Sequence, residues 1–285
     1  VSGGSEGLCG RPRRTRQWQE GYRRKARELT GDEKSNLKPG KDGKIHIADN
    51  GINNVLEDAE KYANQHSTAD SPQYFIYFPK ATNGLSELLI AGYQKYMESD
   101  LLGLANATEL TKQYILNYGQ AGLNLDGHSR GSLTIGNAME SLLNMENPVG
   151  RLSGTTVSFL GPAYNAATAD HLLAQLQDRK SREVPQDGVL TLQSHANDLV
   201  GRFIGKSPIT GGGTPDDSSS LWEKLRVLGG TNTPHNCYGA EPKGCERLWE
   251  GASGLQSAPI PINQIDMTDA NKFWYEFEKR RGAFK

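Results

Sequence analysis

The stretch from Leu123 to Thr134 constrains this chain more than any other. Leu123 and Leu125 alternate with polar neighbours as in a strand, Gly127-His128-Ser129-Arg130-Gly131 follows, and the amphipathic run from Leu133 to Leu143 reads as a helix. The pattern is strand, tight turn, helix, with a serine at the apex. A turn this sharp brings strand and helix so close that a Cβ on either flank would collide, hence a glycine on each side. The strain lifts the serine Oγ clear of the sheet at a helix N-terminus, where unpaired N–H groups and the helix dipole favour negative charge. Five residues with three fixed positions recur by chance; the flanking strand and helix give the pattern its weight.

The rest of the chain repeats the strand–helix alternation. Lys44–Ala48 reads as a strand and Asn54–Gln65 as a helix with Val55, Leu56, Ala59, Tyr62 and Ala63 on one face. Gln73–Phe78 is the most hydrophobic strand signal, and its aromatic and β-branched content predicts a central buried strand. Helices are predicted over 85–97 and 108–118, the latter capped by Thr108. Beyond the elbow, Gly154–Leu160 and Val189–Ser194 read as strands and Ala166–Gln177 as a helix. Leu221–Leu228 reads as a short helix, Pro259–Pro261 as extended, and Asp269–Arg281 as a closing helix that docks through Phe273, Trp274 and Phe277. This order predicts an α/β fold, a mostly parallel sheet with right-handed crossovers and helices on its flanks. Gly205–Ser220, rich in Gly, Ser, Pro and Thr, is either a mobile lid or a long surface loop.

Composition sets limits. The 285 residues suffice for one large domain with a small appendage. A net charge of -1 argues against a general nucleic-acid binder. No run reaches the roughly 20 apolar residues of a membrane-spanning helix. The start, Val1-Ser2-Gly3-Gly4, has no methionine and no signal-peptide pattern, so the chain is expected to be a fragment of something longer. Arg11, Arg13, Arg14, Arg16, Arg23, Arg24, Lys25 and Arg27 form a basic cluster, read either as a solvated helix or as a binding element. Of three cysteines, Cys237 and Cys245 are close enough for a local disulfide or are two free thiols; a disulfide implies an oxidising compartment at some stage.

A serine hydroxyl is a weak nucleophile at neutral pH. It needs a histidine base, and the histidine needs a carboxylate to fix its tautomer and stabilise its charged form. Gly127-x-Ser129-x-Gly131 resembles the nucleophile elbow of α/β-hydrolases, in which serine, acid and histidine follow in that chain order. Catalytic groups collect at the carboxyl ends of parallel strands. Asp198 lies just past the Val189–Ser194 strand, whereas Glu183 and Asp187 precede it, so Asp198 is the expected acid; its alternative is a turn cap. His235, the only histidine after Asp198, is the expected base, with His195 the runner-up. His128 is expected to pack and order the elbow, His46 and His66 to be surface or edge residues, and His171 to have no role. The Arg130 backbone N–H is one expected oxyanion donor. The resemblance implies a second from the loop after an early strand, placed at Lys80 and Ala81. The Arg130 side chain either pairs with a carboxylate or meets an anionic substrate group.

Two likenesses follow. Over about residues 44–240 the chain resembles the α/β-hydrolase fold, and Gly127-His128-Ser129-Arg130-Gly131-Ser132 is similar to the elbow of bacterial antibacterial lipase effectors. His46–Asn54 and Thr233–Gly239 resemble the C-terminal toxin domains of filamentous-haemagglutinin-like, contact-dependent growth inhibition proteins. This implies a small basic helical segment and linker over 1–40 and a hydrolase-like catalytic domain over 41–285. It implies a serine esterase, a lipase or phospholipase acting on lipid or ester substrates as an antibacterial toxin, without metal or cofactor. Such a domain would be carried by a larger secreted or cell-surface protein into a target cell, work at a membrane surface, and be neutralised by a cognate immunity protein. The alternative is a non-catalytic hydrolase-like interaction domain, or a toxin with another target such as nucleic acid.

Overall fold

The structure is a computed structural model that describes residues 27–29, 37–50, 56–66, 72–77, 104–179, 189–213, 215, 218, 233–239, 248–249 and 259–283. Its centre is a seven-stranded sheet: β1 (Arg27–Glu28), β2 (Ile45–Asp49), β3 (Gln73–Ile76), β4 (Leu123–His128), β5 (Thr156–Leu160), β6 (Thr191–Gln193) and β7 (Ile260–Pro261). The spatial order is β1-β3-β2-β4-β5-β6-β7. All neighbours are parallel except β6 and β7. The helices are α1 (Leu56–His66), α2 (Leu104–Tyr118), α3 (Arg130–Leu143), α4 (Ala166–Leu176) and α5 (Asn271–Ala283).

The period of two along the strands sorts residues onto two faces. Ile45 and Ile47 of β2, Leu123 and Leu125 of β4, and Val157 and Phe159 of β5 enter the main core with Leu133, Met139 and Leu142 of α3 and Leu172 and Leu173 of α4. On the opposite face, Ala48 and Phe75 pack with Ala59 and Ala63 of α1. Nearer the carboxyl end of β5, Leu160 packs with Tyr238 and Trp249. Small residues on α1 let that helix lie close to the sheet.

Several expectations change. The Gln73–Phe78 run is buried through Ile76 but is not central: only the two-residue β1 lies outside it, and β2 separates it from β4. Its hydrophobicity reports burial, which a second position from the edge satisfies as well as the middle. Arg27–Glu28, assigned to a basic helical appendage, is a strand paired with Tyr74 and Phe75, and Leu29 and Leu37 join the main core, so residue 40 does not bound the sheet domain. His46 lies on a strand flanked on both sides, is buried, and contacts Asp42 at 3.0 Å. Helix α2 starts at Leu104, before Thr108, because the small residues ahead of Thr108 continue its pattern. The predicted helices 85–97 and 221–228 lie outside the described residues.

Where it is described, Gly205–Ser220 is tied down. Asn165 donates through Nδ2 to the carbonyls of Gly205 and Lys206 at 3.1 Å, and Ser207 Oγ accepts from the Ala166 N–H at 3.2 Å. Thr210 and Gly211 donate to the Ser194 carbonyl at 2.8 and 3.2 Å. The first half of the segment is therefore part of the body, which disfavours a lid there.

Candidate active site

The elbow joins β4 to α3. Ser129 has φ 53° and ψ -119°, a conformation that costs a non-glycine residue on the order of 1–3 kcal/mol and persists only when its surroundings hold it. Here they do. The Ser129 N–H donates to the Leu160 carbonyl at 3.0 Å, and its carbonyl accepts from the Ala163 N–H at 3.2 Å and from Ser132 Oγ at 2.6 Å. Both glycines are required by contact. A Cβ on Gly127 would stand 2.9 Å from Ser132 Cα on the helix side, and one on Gly131 would stand 2.1 Å from the Asp49 carbonyl oxygen on the strand side.

Three predicted residues meet at the carboxyl ends of the strands. His235 Nε2 is 2.8 Å from Ser129 Oγ, and His235 Nδ1 is 2.9 Å from Asp198 Oδ1. With Asp198 ionised, the Nδ1 proton points at the carboxylate and Nε2 is left to accept the serine hydroxyl proton. Ser129 and His235 are each 1 % exposed and Asp198 is fully buried. Burial raises the Asp198 carboxyl, but the His235 charge and hydrogen bond, the Tyr238 hydroxyl and the Val200 N–H together outweigh it and hold the group below its ordinary value. The Val200 N–H donates to Oδ1 at 2.8 Å, so the turn-capping alternative for Asp198 is realised together with the histidine contact.

The other histidines are engaged elsewhere. His195 Nδ1 accepts the Asn197 N–H at 3.0 Å and its Nε2 donates to the Leu248 carbonyl at 2.7 Å, which uses both nitrogens. Burial lowers its pKa against the opposing pull of that carbonyl and of Asp198. His128 points to the α1 side, donates through Nε2 to the His235 carbonyl at 2.8 Å, and packs on Tyr62 and His235 with ring centroids 5.3 and 5.1 Å apart. It thereby joins the end of the elbow strand to the loop that carries the base. His171 Nε2 meets Asn271 Oδ1 at 3.3 Å, and the side chain of His66 lies outside the description, as do Glu183 and Asp187.

Arg130 opens α3, so its backbone N–H lies at the N-terminal end of that helix. Its side chain is buried. Lys80 and Ala81 lie outside the described residues. They follow β3, an early strand, whereas the strand that adjoins β4 on that side is β2. The backbone beside the elbow is that of Asp49, at the carboxyl end of β2 and just before Asn50; its carbonyl lies where a Cβ on Gly131 would stand. Asn50 falls in the His46–Asn54 segment noted for its likeness, but nothing in the sequence places that segment beside the elbow, since strand order is not local information.

Sequence reading also missed Tyr238. Its hydroxyl donates to Asp198 Oδ2 at 2.6 Å and accepts the His195 N–H at 3.0 Å. Gly161 makes room for both: φ is +49°, and a Cβ there would lie 2.4 Å from Asp198 Oδ2 and 2.5 Å from Tyr238 Cε2. The loop is strapped further by the Gly239 N–H on Gln193 Oε1 at 2.9 Å and by Trp249 Nε1 on the Cys237 carbonyl at 2.8 Å. Cys237 is disulfide-bonded; Cys9 and Cys245 lie outside the described residues.

One buried carboxyl stands apart. Asp49 is 1 % exposed, and neither of its carboxyl oxygens has a well-formed hydrogen bond among the described residues. Burial pushes its pKa well above the ordinary range, the nearby Thr111 hydroxyl opposes this, and the Asp126 charge adds to it. Among the described residues there is no cluster of His, Cys, Asp and Glu that could hold a metal ion, and no helix long and apolar enough to cross a membrane. No protein-family model, curated protein or solved structure matches the chain.

Proposed function

We propose that this chain is a serine esterase of the α/β-hydrolase type. The observation that carries the reading is the unbroken line from Ser129 Oγ through His235 to Asp198, with contacts of 2.8 and 2.9 Å. His235 Nε2 takes the hydroxyl proton as Oγ attacks the ester carbonyl carbon. The oxyanion of the tetrahedral intermediate accepts the Arg130 N–H at the positive end of α3. A second donor is proposed in the backbone around Asn50, at the end of the strand that pairs with β4; Lys80 and Ala81 lie outside the described residues. As the intermediate collapses, the C–O bond of the leaving alcohol breaks and His235 returns the proton to that oxygen. Water, deprotonated by the same nitrogen, then attacks the acyl-enzyme, and departure of Ser129 Oγ with the proton restores the enzyme.

The family likeness extends the proposal to a lipase or phospholipase acting as an antibacterial toxin domain at the surface of a target membrane, carried by a larger secreted protein and held in check by an immunity protein. The cross-linked Cys237 supports passage through an oxidising compartment. The test is Ser129→Ala, assayed on short-chain nitrophenyl esters and on phospholipid vesicles, with fluorophosphonate labelling of the wild type. Turnover and labelling should vanish in the variant; hydrolysis at the wild-type rate would refute the esterase.

A further inference from the structure

We propose that Tyr238 is a positioning residue of this site, holding the second oxygen of Asp198 so that the first faces His235. This rests on the esterase reading for its rate consequence, but its geometry stands alone.

A carboxylate bonded through one oxygen can still swivel about its Cβ–Cγ bond. Asp198 is bonded through both. Oδ1 takes the Val200 N–H and His235 Nδ1, and Oδ2 takes the Tyr238 hydroxyl. The direction of the phenol proton is fixed as well. A phenol has one proton, and the His195 N–H already points at its oxygen from 3.0 Å, so the proton is turned onto Asp198. Burial, together with the Asp198 charge and hydrogen bond, pushes the Tyr238 hydroxyl well above its ordinary pKa, which keeps it a donor across the neutral range.

The ring is held independently of its hydroxyl. It packs on Leu160 and Trp249, with the Trp249 centroid at 5.7 Å, and on His128, also at 5.7 Å. Tyr238 also sits between the disulfide-bonded Cys237 and the anchored N–H of Gly239, three residues beyond His235. Base and tyrosine thus come from one short loop and grip the two oxygens of one carboxylate. Among the described residues, the titratable groups around Asp198 are His235 and Tyr238 in direct contact and His195 nearby, with the His128 ring tilted against the rings of the first two.

The test is Tyr238→Phe, which keeps the ring and removes one O–H. A carboxylate that loses this donor holds the Nδ1 proton of His235 more tightly. The acid limb of kcat/KM should therefore move to higher pH. On a nitrophenyl ester kcat should fall about 10- to 100-fold with KM nearly unchanged, the range expected for one hydrogen bond to a charged group. The Nδ1–H proton resonance of His235 should move between wild type and variant, a readout that needs no turnover. A packing role alone would leave limb and resonance in place. The proposal is overturned if resonance and limb are both unmoved, whatever happens to the melting temperature. If the wild type neither hydrolyses esters nor reacts with fluorophosphonate, the esterase reading fails, and the resonance still decides the role of Tyr238.

Discussion

Gly131→Ala isolates how tightly the elbow is built. In a helix, alanine is favoured over glycine by roughly 0.5–1 kcal/mol, so propensity alone predicts a more stable protein. The contacts predict the reverse. The new Cβ would stand 2.1 Å from the Asp49 carbonyl oxygen and 2.6 Å from its carbonyl carbon, against the 3.4 Å where ordinary contact begins. The deficit to the oxygen, 3.4 less 2.1, is about 1.3 Å. Strand β2 cannot supply it, because it is paired with β3 on one side and β4 on the other. The first turn of α3 must move, and Ser129 with it. A shift of that size carried to Oγ takes its 2.8 Å contact with His235 out of hydrogen-bond reach. Overpacking of this kind costs about 1–3 kcal/mol, and a misplacement near 1 Å costs about 100-fold in rate. The assay is kcat/KM on a nitrophenyl ester alongside the urea midpoint. Gly282→Ala is the control, since a Cβ there meets nothing within 4 Å. It should leave the rate unchanged and the midpoint equal or higher. Wild-type kcat/KM and midpoint in Gly131→Ala would refute the argument that backbone contact fixes the elbow.

Asp198→Asn puts an amide where the Nδ1 proton must be accepted, and should lower kcat by about 10³- to 10⁴-fold with unchanged circular dichroism; a loss below tenfold would remove Asp198 from the proposed triad. For Asp49, the folded pKa lies above the unfolded value near 3.8, so the folded state keeps a proton that the unfolded state releases, and stability falls as pH rises from there through the raised folded value. Asp49→Asn removes that loss: its melting temperature should exceed the wild type's at pH 7, and the gap should close below pH 3.8, whereas a pH-independent gap would contradict a buried neutral carboxyl. Reduction of the Cys237 disulfide should slow ester hydrolysis, because the cross-link lies two residues beyond His235, and Cys237→Ser should do the same; an unchanged rate after measured thiol release would separate the disulfide from the site.

The parts legible in the sequence were those encoded locally. Gly127 and Gly131 announce the elbow because a sharp turn leaves no choice of residue. Asp198 followed from its place just past a strand end and His235 from the chain order that the hydrolase resemblance implies, and the structure sets His235 between Ser129 and Asp198. What was not legible depends on neighbours distant in the chain. The aromatic run of β3 looks central, yet the IHIAD strand β2, which has no Phe, Tyr or Trp, lies beside β4 and sets the Asp49 carbonyl against Gly131. Arg27–Glu28 has no strand signature, because two charged residues join the sheet through backbone pairing with Tyr74 and Phe75. Tyr238 lies in the Thr233–Gly239 segment noted for its likeness, but nothing local gives it a role; only the folded loop sets its hydroxyl on Asp198.

Gly161 couples positions that are far apart in sequence. Its missing side chain is the space that Asp198 Oδ2 and the Tyr238 ring occupy. Any larger residue at 161 must displace one of them, so a substitution there would disturb the Asp198–Tyr238 contact without altering either residue. Removing the tyrosine ring would not free the position, because the Asp198 carboxylate and the positive φ at 161 still leave no place for a Cβ.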